Sequence, residues 1–281
     1  SWTHRVLKMS LRKQLGGGSK ARKKMVMSSA QIKAVAIRSV KGVIRQPQAW
    51  VPSLAFPLFF TALSSAAFEK TRAIPGFPEV SSFVAFLLAA TILQGVMFGS
   101  TSAGTDVAID IESGFFDRFL ASPISSLSLV FGRLAGTVLL AAMQALLFTV
   151  ILMCFGATMK GGIPGLAVTL LVAGLLGGAV GAFAVTVGLR TGSVEAVNGF
   201  FPIFFALVFL SSAFFPPQIS GGLFEVVAGV NPLSTMVDGM RHLHIVGWDF
   251  SKAASAIVVS AVLFFVFVGT SLVALSLRIK K

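Results

Sequence analysis

Residues 164–189 decide the fold, because PGLAVTLLVAGLLGGAVGAFAVTVGL contains no charged side chain. A helix needs about 20 predominantly apolar residues to cross the hydrocarbon core of a bilayer. The stretch is therefore long enough to span a membrane as one helix. Its glycines at positions 174, 177, 178 and 181 form two overlapping GxxxG spacings, which allow close packing against another helix without identifying that helix.

Five more apolar runs of comparable length lie on either side of this stretch. Hydrophobic residues make up 55% of the chain and charged residues only 12%, whereas soluble domains contain about 25% charged residues. The sequence therefore predicts an all-α integral membrane protein with six transmembrane helices and no separate soluble domain. The further runs are residues 50–68, 82–104, 127–157, 197–215 and 253–277.

Basic residues are concentrated at the start of the chain. The formal net charge is +13, and residues 1–49 contain many Lys and Arg residues but no Asp or Glu. We interpret residues 1–27 as a mobile basic arm and 28–47 as an amphipathic helix in the membrane interface, followed by the six-span domain at 48–281. A helix packed on a partner is the alternative for 28–47. A basic arm beside a hydrophobic span favours anionic membrane lipids over nucleic acid as its partner.

The placement of Lys and Arg also predicts the orientation of the chain. If the N-terminus is inside, most basic residues fall on the cytoplasmic side of the six spans, as the positive-inside rule requires. Both termini and residues 105–126 should then be cytoplasmic, and residues 216–252 external.

The loop at 105–126 contains acidic and apolar residues that a simple connection between two spans would not require. It holds four of the acidic residues of the chain, and Pro123 ends it. Phe115, Phe116, Phe119 and Leu120 fall at i, i+1, i+4 and i+5, which is one face of a short helix. This combination of apolar and acidic residues predicts a helix that docks on another protein.

The apolar run at 197–215 is dense in phenylalanine and is broken by Pro202. Phe201, Phe204 and Phe205 are predicted to line or border a route for an apolar or amphipathic molecule, since aromatic rings offer a large contact area. Rings that simply face lipid are the alternative.

A further helix is predicted after this run, on the outer side. Asn231 and Pro232 form a typical helix start, with Asn as the N-cap and Pro in the first turn. Asp238 and Arg241 lie three residues apart and are predicted to occupy the solvent-exposed side of an amphipathic helix. With its neighbours, this segment predicts short outer helices between spans five and six.

Motifs for chemistry within the chain are not found in the sequence. It contains no GxxxxGK[ST] phosphate-binding loop, no HExxH zinc motif and no GxSxG nucleophile motif. We expect neither catalytic nor metal-binding residues, and no cofactor. Arg133 is the only charged side chain within the six runs, which argues against a proton-coupled carrier without excluding a sodium-coupled one. The energy for any transport should therefore come from another protein.

These residues together resemble the type-2 ABC permeases, the family of bacterial daunorubicin-resistance and O-antigen exporters. The sequence DIESGFFDRFLASP at 110–123 is similar to the acidic cytoplasmic helix of that family. The segment 201–217 is similar to its fifth span, and NPLSTMVDGMR at 231–241 is similar to its outer-helix signature. Thr235 departs from the family pattern, where an aromatic residue is frequent.

The resemblance implies a permease subunit in the plasma membrane of a bacterium, without enzymatic activity of its own. It implies a dimer with a second permease copy or paralogue, and two ABC ATPase subunits that bind ATP and Mg. The expected cargo is an amphipathic drug, lipid or glycoconjugate. A secondary carrier or a non-transporting scaffold is the alternative. The residues implied in ATPase coupling are Asp110, Glu112, Gly114, Phe115, Phe116, Asp117, Arg118, Phe119 and Leu120.

Overall fold

The computed structural model describes residues 47–116, 118 and 126–279. Throughout this part of the chain the regular structure is helical, as the sequence predicts, and no strand occurs in it. The basic arm at 1–27 and nearly all of the amphipathic segment at 28–47 lie outside the described residues, as do Asp117, Phe119 and Leu120.

Eleven α-helices are described, together with a short 3-10 helix at Glu69–Ala73 that follows the first of them. In chain order they are α1 Pro47–Phe68, α2 Phe83–Ser100, α3 Ser102–Glu112, α4 Ser126–Cys154, α5 Gly162–Thr191, α6 Val194–Asn198, α7 Phe201–Phe209, α8 Pro217–Ser220, α9 Gly222–Val230, α10 Pro232–Ile245 and α11 Phe250–Ile279.

Five segments of the described chain are long and apolar enough to cross a bilayer. They are Val51–Ala73, Phe83–Glu112, Val130–Cys154, Gly162–Thr191 and Phe250–Ile279. Five of the six predicted spans are thus found at the expected places. The remaining run is helical but divided into α6 and α7, each too short to cross alone. Gly199 and Phe200 separate the two pieces, and Pro202 lies at the start of α7, where its missing N–H is tolerated.

The centre of the bundle is formed by α5 and the α2–α3 segment, because these are the most buried of the long helices. Small residues bring them into direct backbone contact. A Cβ added at Gly104 would lie 2.3 Å from the carbonyl oxygen of Ala184, and one at Gly188 would lie 2.7 Å from that of Gly104. A Cβ added at Gly177 would lie 2.4 Å from the Cβ of Ala141 on α4. The glycine-rich face of α5 therefore packs within this chain.

A side chain of α4 compensates for a proline inside α1. Pro57 has no N–H to donate to the carbonyl of Ser53 one turn earlier. The Nε2 of Gln144 donates to that carbonyl oxygen at 3.1 Å. A neighbouring helix thus supplies the hydrogen bond that Pro57 cannot make, as backbone groups within a bilayer require.

Candidate functional site

The bundle has two ends at which polar residues gather, and we call them the Glu112 end and the Arg241 end. At the Glu112 end, α3 stops at a left-handed glycine, Gly114, with φ +68°. The N–H of Ser113 donates to Ile109 and that of Gly114 to Ile111, which caps the last turn of the helix. The chain turns back, and Phe115 and Phe116 begin another helical turn.

The two adjacent phenylalanines point to different environments. Phe115 is 39% exposed, whereas Phe116 is 1% exposed and packs with apolar residues of α3, α4 and α5. Arg118 is exposed beside them. The sequence predicted that Phe115 and Phe116 lie on one docking face of a short helix. That prediction is wrong for Phe116, whose ring packs the turn against the bundle. Phe115 is exposed at the surface of the turn, where another protein could contact it.

The acidic residues of this segment also divide between the bundle and the surface. Asp110 forms an ion pair with Arg133 of α4, and both side chains are largely buried. A carboxylate oxygen of the exposed Glu112 accepts a hydrogen bond at 3.3 Å from the N–H of Val194, the first residue of α6. The Glu112 turn is thus bonded to α4 on one side and to the divided α6–α7 segment on the other.

On one side of α7, Phe201 and Phe205 join a continuous cluster of rings with α1 and α2. The Phe201 ring lies 4.5 Å from that of Phe98 on α2, and the Phe205 ring stacks parallel to Phe98 at 6.2 Å. Phe56 of α1 closes the group, at 5.9 Å from Phe98. Phe201 and Phe56 are each 41% exposed, so these rings are in contact and still accessible at one edge.

Phe204 lies on the opposite side of α7. It is 9% exposed, and its ring meets that of Phe183 on α5 edge-on at 5.5 Å. Phe201, Phe204 and Phe205, which were predicted to border one route, therefore belong to two clusters. Phe201 and Phe205 border the accessible one, and Phe204 anchors α7 to the centre of the bundle.

At the Arg241 end, Asn231 caps α10 as the sequence predicts. Its Oδ1 accepts a hydrogen bond from the N–H of Leu233 at 2.9 Å, and Pro232 is the first residue of the helix. The Nδ2 of the same side chain donates to the carbonyl oxygen of Leu207 at 2.8 Å. Asn231 thereby ties the start of α10 to the last turn of α7.

The prediction that Arg241 faces solvent is wrong. Its side chain is 9% exposed, whereas that of Asp238 is 53% exposed. The guanidinium donates to the carbonyl oxygens of Phe86, Ser212 and Ala213 at 2.7–3.2 Å, and it lies 3.9 Å from the centre of the Phe86 ring. Its bond to Asp238 is 3.1 Å long. Burial lowers the pKa of Arg241 to about 10, so it stays charged at neutral pH.

Arg241 also lines a surface pocket of about 460 Å³ at this end. The charged and titratable groups around it are Glu79, Asp238, His242 and Lys252, while Phe86 and three prolines supply apolar walls. The neighbouring His244 is fully buried, and one ring nitrogen lies 2.9 Å from the hydroxyl of Thr169. Burial first, and the charge of Arg241 second, hold the pKa of His244 far below its usual range. His244 is therefore neutral in the folded chain.

Comparison with known proteins agrees with the resemblance drawn from the sequence. The family model for ABC-2 type transporters matches residues 30–245. The daunorubicin resistance ABC transporter permease protein DrrB1 of Streptomyces coeruleorubidus is 29% identical over 193 residues, which is 68% of this chain and 65% of that protein. Two proteins named "Putative transport permease ycf38", from Pyropia yezoensis and Porphyra purpurea, are 24% and 23% identical over 79% of this chain and 77% of their own length.

Proposed function

This chain belongs to the ABC-2 type transporter family, and from that membership we propose that it is the membrane subunit of an ATP-driven exporter. In this proposal two copies of a separate ABC ATPase subunit bind and hydrolyse ATP with Mg. The chain, paired with a second permease copy or a paralogue, provides the route across the membrane. It is a multi-pass membrane protein, and we place it in a bacterial plasma membrane with both termini in the cytoplasm.

The observation that carries the proposal is the turn after α3. It presents an exposed aromatic ring, Phe115, and an exposed cation, Arg118, on a base fixed by the buried Phe116. A buried aromatic residue commonly supplies most of the contact energy at a protein interface, and the charges around it set orientation. Such a turn suits a cleft in an ATPase, with Asp117, Phe119 and Leu120 as further proposed contacts.

The turn after α3 is bonded to two neighbouring helices. One of them, α6, continues along the chain into α7, which borders the proposed transport route. The Asp110–Arg133 ion pair joins the turn to α4, and the Glu112–Val194 bond joins it to α6. Because α6 is separated from α7 by only two residues, a shift of the turn can tilt the segment that carries Phe201 and Phe205. We propose that α6 and α7 together form the fifth of six crossings, as a divided helix.

The cargo in this proposal is an amphipathic molecule with a substantial apolar body. The accessible rings of Phe56, Phe98, Phe201 and Phe205 offer stacking surfaces along one side of α7. The name of the relative DrrB1 associates that protein with resistance to daunorubicin, an aromatic amphipath. Drugs of this kind are therefore the first cargo to examine, with lipids and glycoconjugates after them.

Co-purification and ATPase assays test the proposal. The full chain, tagged and co-expressed with an ABC ATPase encoded beside it, should retain that ATPase through purification and reconstitution in lipid. Daunorubicin should then stimulate ATP hydrolysis, and a Phe115→Ala variant should retain less of the ATPase. An ATPase that never co-purifies with the wild-type chain would refute the proposal.

A further inference from the structure

Gln94 and Gln144 lie within the segments that are long enough to cross a bilayer, and their side-chain amides are in opposite states. Gln144 on α4 donates to the carbonyl oxygen of Ser53. Gln94 on α2 is 1% exposed, and among the described residues neither its Oε1 nor its Nε2 has a hydrogen-bond partner. A buried amide without partners destabilises the conformation that contains it, and most buried polar groups in proteins are paired.

Helix geometry shows which neighbours Gln94 faces. Residues three or four positions apart lie on the same side of a helix. Gln94 comes three residues after Thr91 and four residues before Phe98. The hydroxyls of Thr91 and Thr61 of α1 are hydrogen-bonded, and Phe98 contacts Phe201 and Phe205 of α7. Gln94 therefore lies on the side of α2 that faces α1 and α7.

Phe98, one helical turn after Gln94 on α2, belongs to the accessible ring cluster. Phe98 contacts Phe201 and Phe205 through their rings, and such ring contacts are individually weak. The segment that carries those two rings is a short helix, and a break at Gly199 and Phe200 divides it from α6. A tilt of α7 would separate the rings and open access to the amide of Gln94.

We propose that Gln94 is a cargo-contacting residue whose amide hydrogen-bonds a carbonyl or hydroxyl group on an aromatic amphipath once α7 has moved. This inference rests on the proposed export function and adds a polar contact to its apolar route. In the conformation described above, which we call closed, the amide of Gln94 is unpaired, and cargo supplies the missing hydrogen bonds. Gln94 thereby favours the loaded state over the empty one, since a ligand shifts an equilibrium only by its differential affinity for the two states.

Replacing each glutamine by methionine, which has nearly the same length and no amide, distinguishes this role from a structural one. Gln94→Met removes an unpaired amide from the closed state, so the melting temperature of the full chain should rise by about 3–8 °C. Gln144→Met is the matched control. It removes the hydrogen bond that Gln144 donates to the Ser53 carbonyl, so its melting temperature should fall by about 2–6 °C.

The second measurement uses the complex with the ATPase, reconstituted in lipid, and daunorubicin as the probe. The daunorubicin concentration that gives half-maximal stimulation should increase about 3- to 10-fold in Gln94→Met, as expected for the loss of one or two hydrogen bonds. In Gln144→Met it should stay within about 2-fold of wild type. A purely structural glutamine would not give higher stability together with weaker cargo binding.

Two results would overturn the inference while leaving the export function intact. One is a lower or unchanged melting temperature for Gln94→Met, which would mean that the amide is paired, for example by a buried water molecule. The other is daunorubicin stimulation in Gln94→Met that matches wild type. If daunorubicin fails to stimulate the wild-type complex, the proposed drug cargo itself is wrong, and the inference fails with it.

Discussion

Replacing Arg241 by methionine should destabilise the protein more than any change to its ion-pair partner. Methionine retains much of the apolar stem but removes the guanidinium. The carbonyl oxygens of Phe86, Ser212 and Ala213 would then lose the donor that they share. These carbonyls belong to α2 and to the turn after α7, so the substitution loosens the contact of both with α10.

The magnitude follows from the bonds that are lost. A hydrogen bond to a charged group contributes about 1.5–3 kcal/mol, but some carbonyls can be rehydrated from the pocket that Arg241 lines. A net loss of roughly 3 kcal/mol is therefore expected for the three. The ion pair adds little, because the Asp238 side chain is 53% exposed and screened by solvent. At about 2–4 °C per kcal/mol, the melting temperature should fall by roughly 6–12 °C.

Thermal unfolding of the detergent-solubilised chain measures this loss, with Asp238→Asn as the matched control. The control keeps the guanidinium bonds to the three carbonyls and should change the melting temperature by no more than about 3 °C. Arg241→Lys should fall between the two, since an ammonium cannot reproduce the planar fork of donors. An Asp238→Asn variant that melts as low as Arg241→Met would show that the ion pair, and not the carbonyl contacts, stabilises this end.

Three further predictions test other parts of the molecule. Phe116→Ala should lower the free energy of unfolding by about 3–5 kcal/mol because it empties a core site. Phe115→Ala should leave the melting temperature unchanged and reduce co-purification of the ATPase. Equal melting temperatures for the two variants would contradict the assignment. His244 has a depressed pKa in the fold, so the unfolded chain takes up a proton near pH 6.5 before the folded chain does, and stability should decline from about pH 7 to about pH 5. A His244→Gln variant should show a flatter profile in the same melting series, and an identical decline would assign it to other groups. Single cysteines at Ser113 and Ser220, in a Cys154→Ser background, should be labelled from the inside and the outside of intact cells respectively, and external labelling at Ser113 would refute the orientation.

Features with local signals could be predicted from the sequence. The Asn231–Pro232 helix start depends on residues that are neighbours in the chain, and the structure has the predicted cap at that position. The apolar runs likewise located the five long helices, because the length needed to cross a bilayer is a property of one segment. The glycine spacing of α5 predicted close packing, although the partner residues, such as Ala141 of α4 near Gly177, could not be read from it.

Features that depend on distant residues were predicted incorrectly or incompletely. Arg241 was placed in solvent because its spacing from Asp238 suggests an exposed pair, but Phe86, its main-chain partner, is 155 positions away in sequence. Phe115 and Phe116 are the same residue type at adjacent positions, so the sequence does not distinguish them. They differ in what surrounds them in the fold. The sequence predicted a break in the run at 197–215 at Pro202, but the break lies at Gly199 and Phe200, and Pro202 is the second residue of α7.

The most direct test of the exporter assignment is ATP-driven uptake of daunorubicin into inverted membrane vesicles. Vesicles that contain the chain and its ATPase subunit should accumulate the drug when ATP and Mg are supplied. Accumulation should stop when the ATP-binding lysine of the ATPase is replaced, or when the chain is omitted. Uptake that continues without ATP but collapses when the proton or sodium gradient is dissipated would contradict the account and identify a secondary carrier.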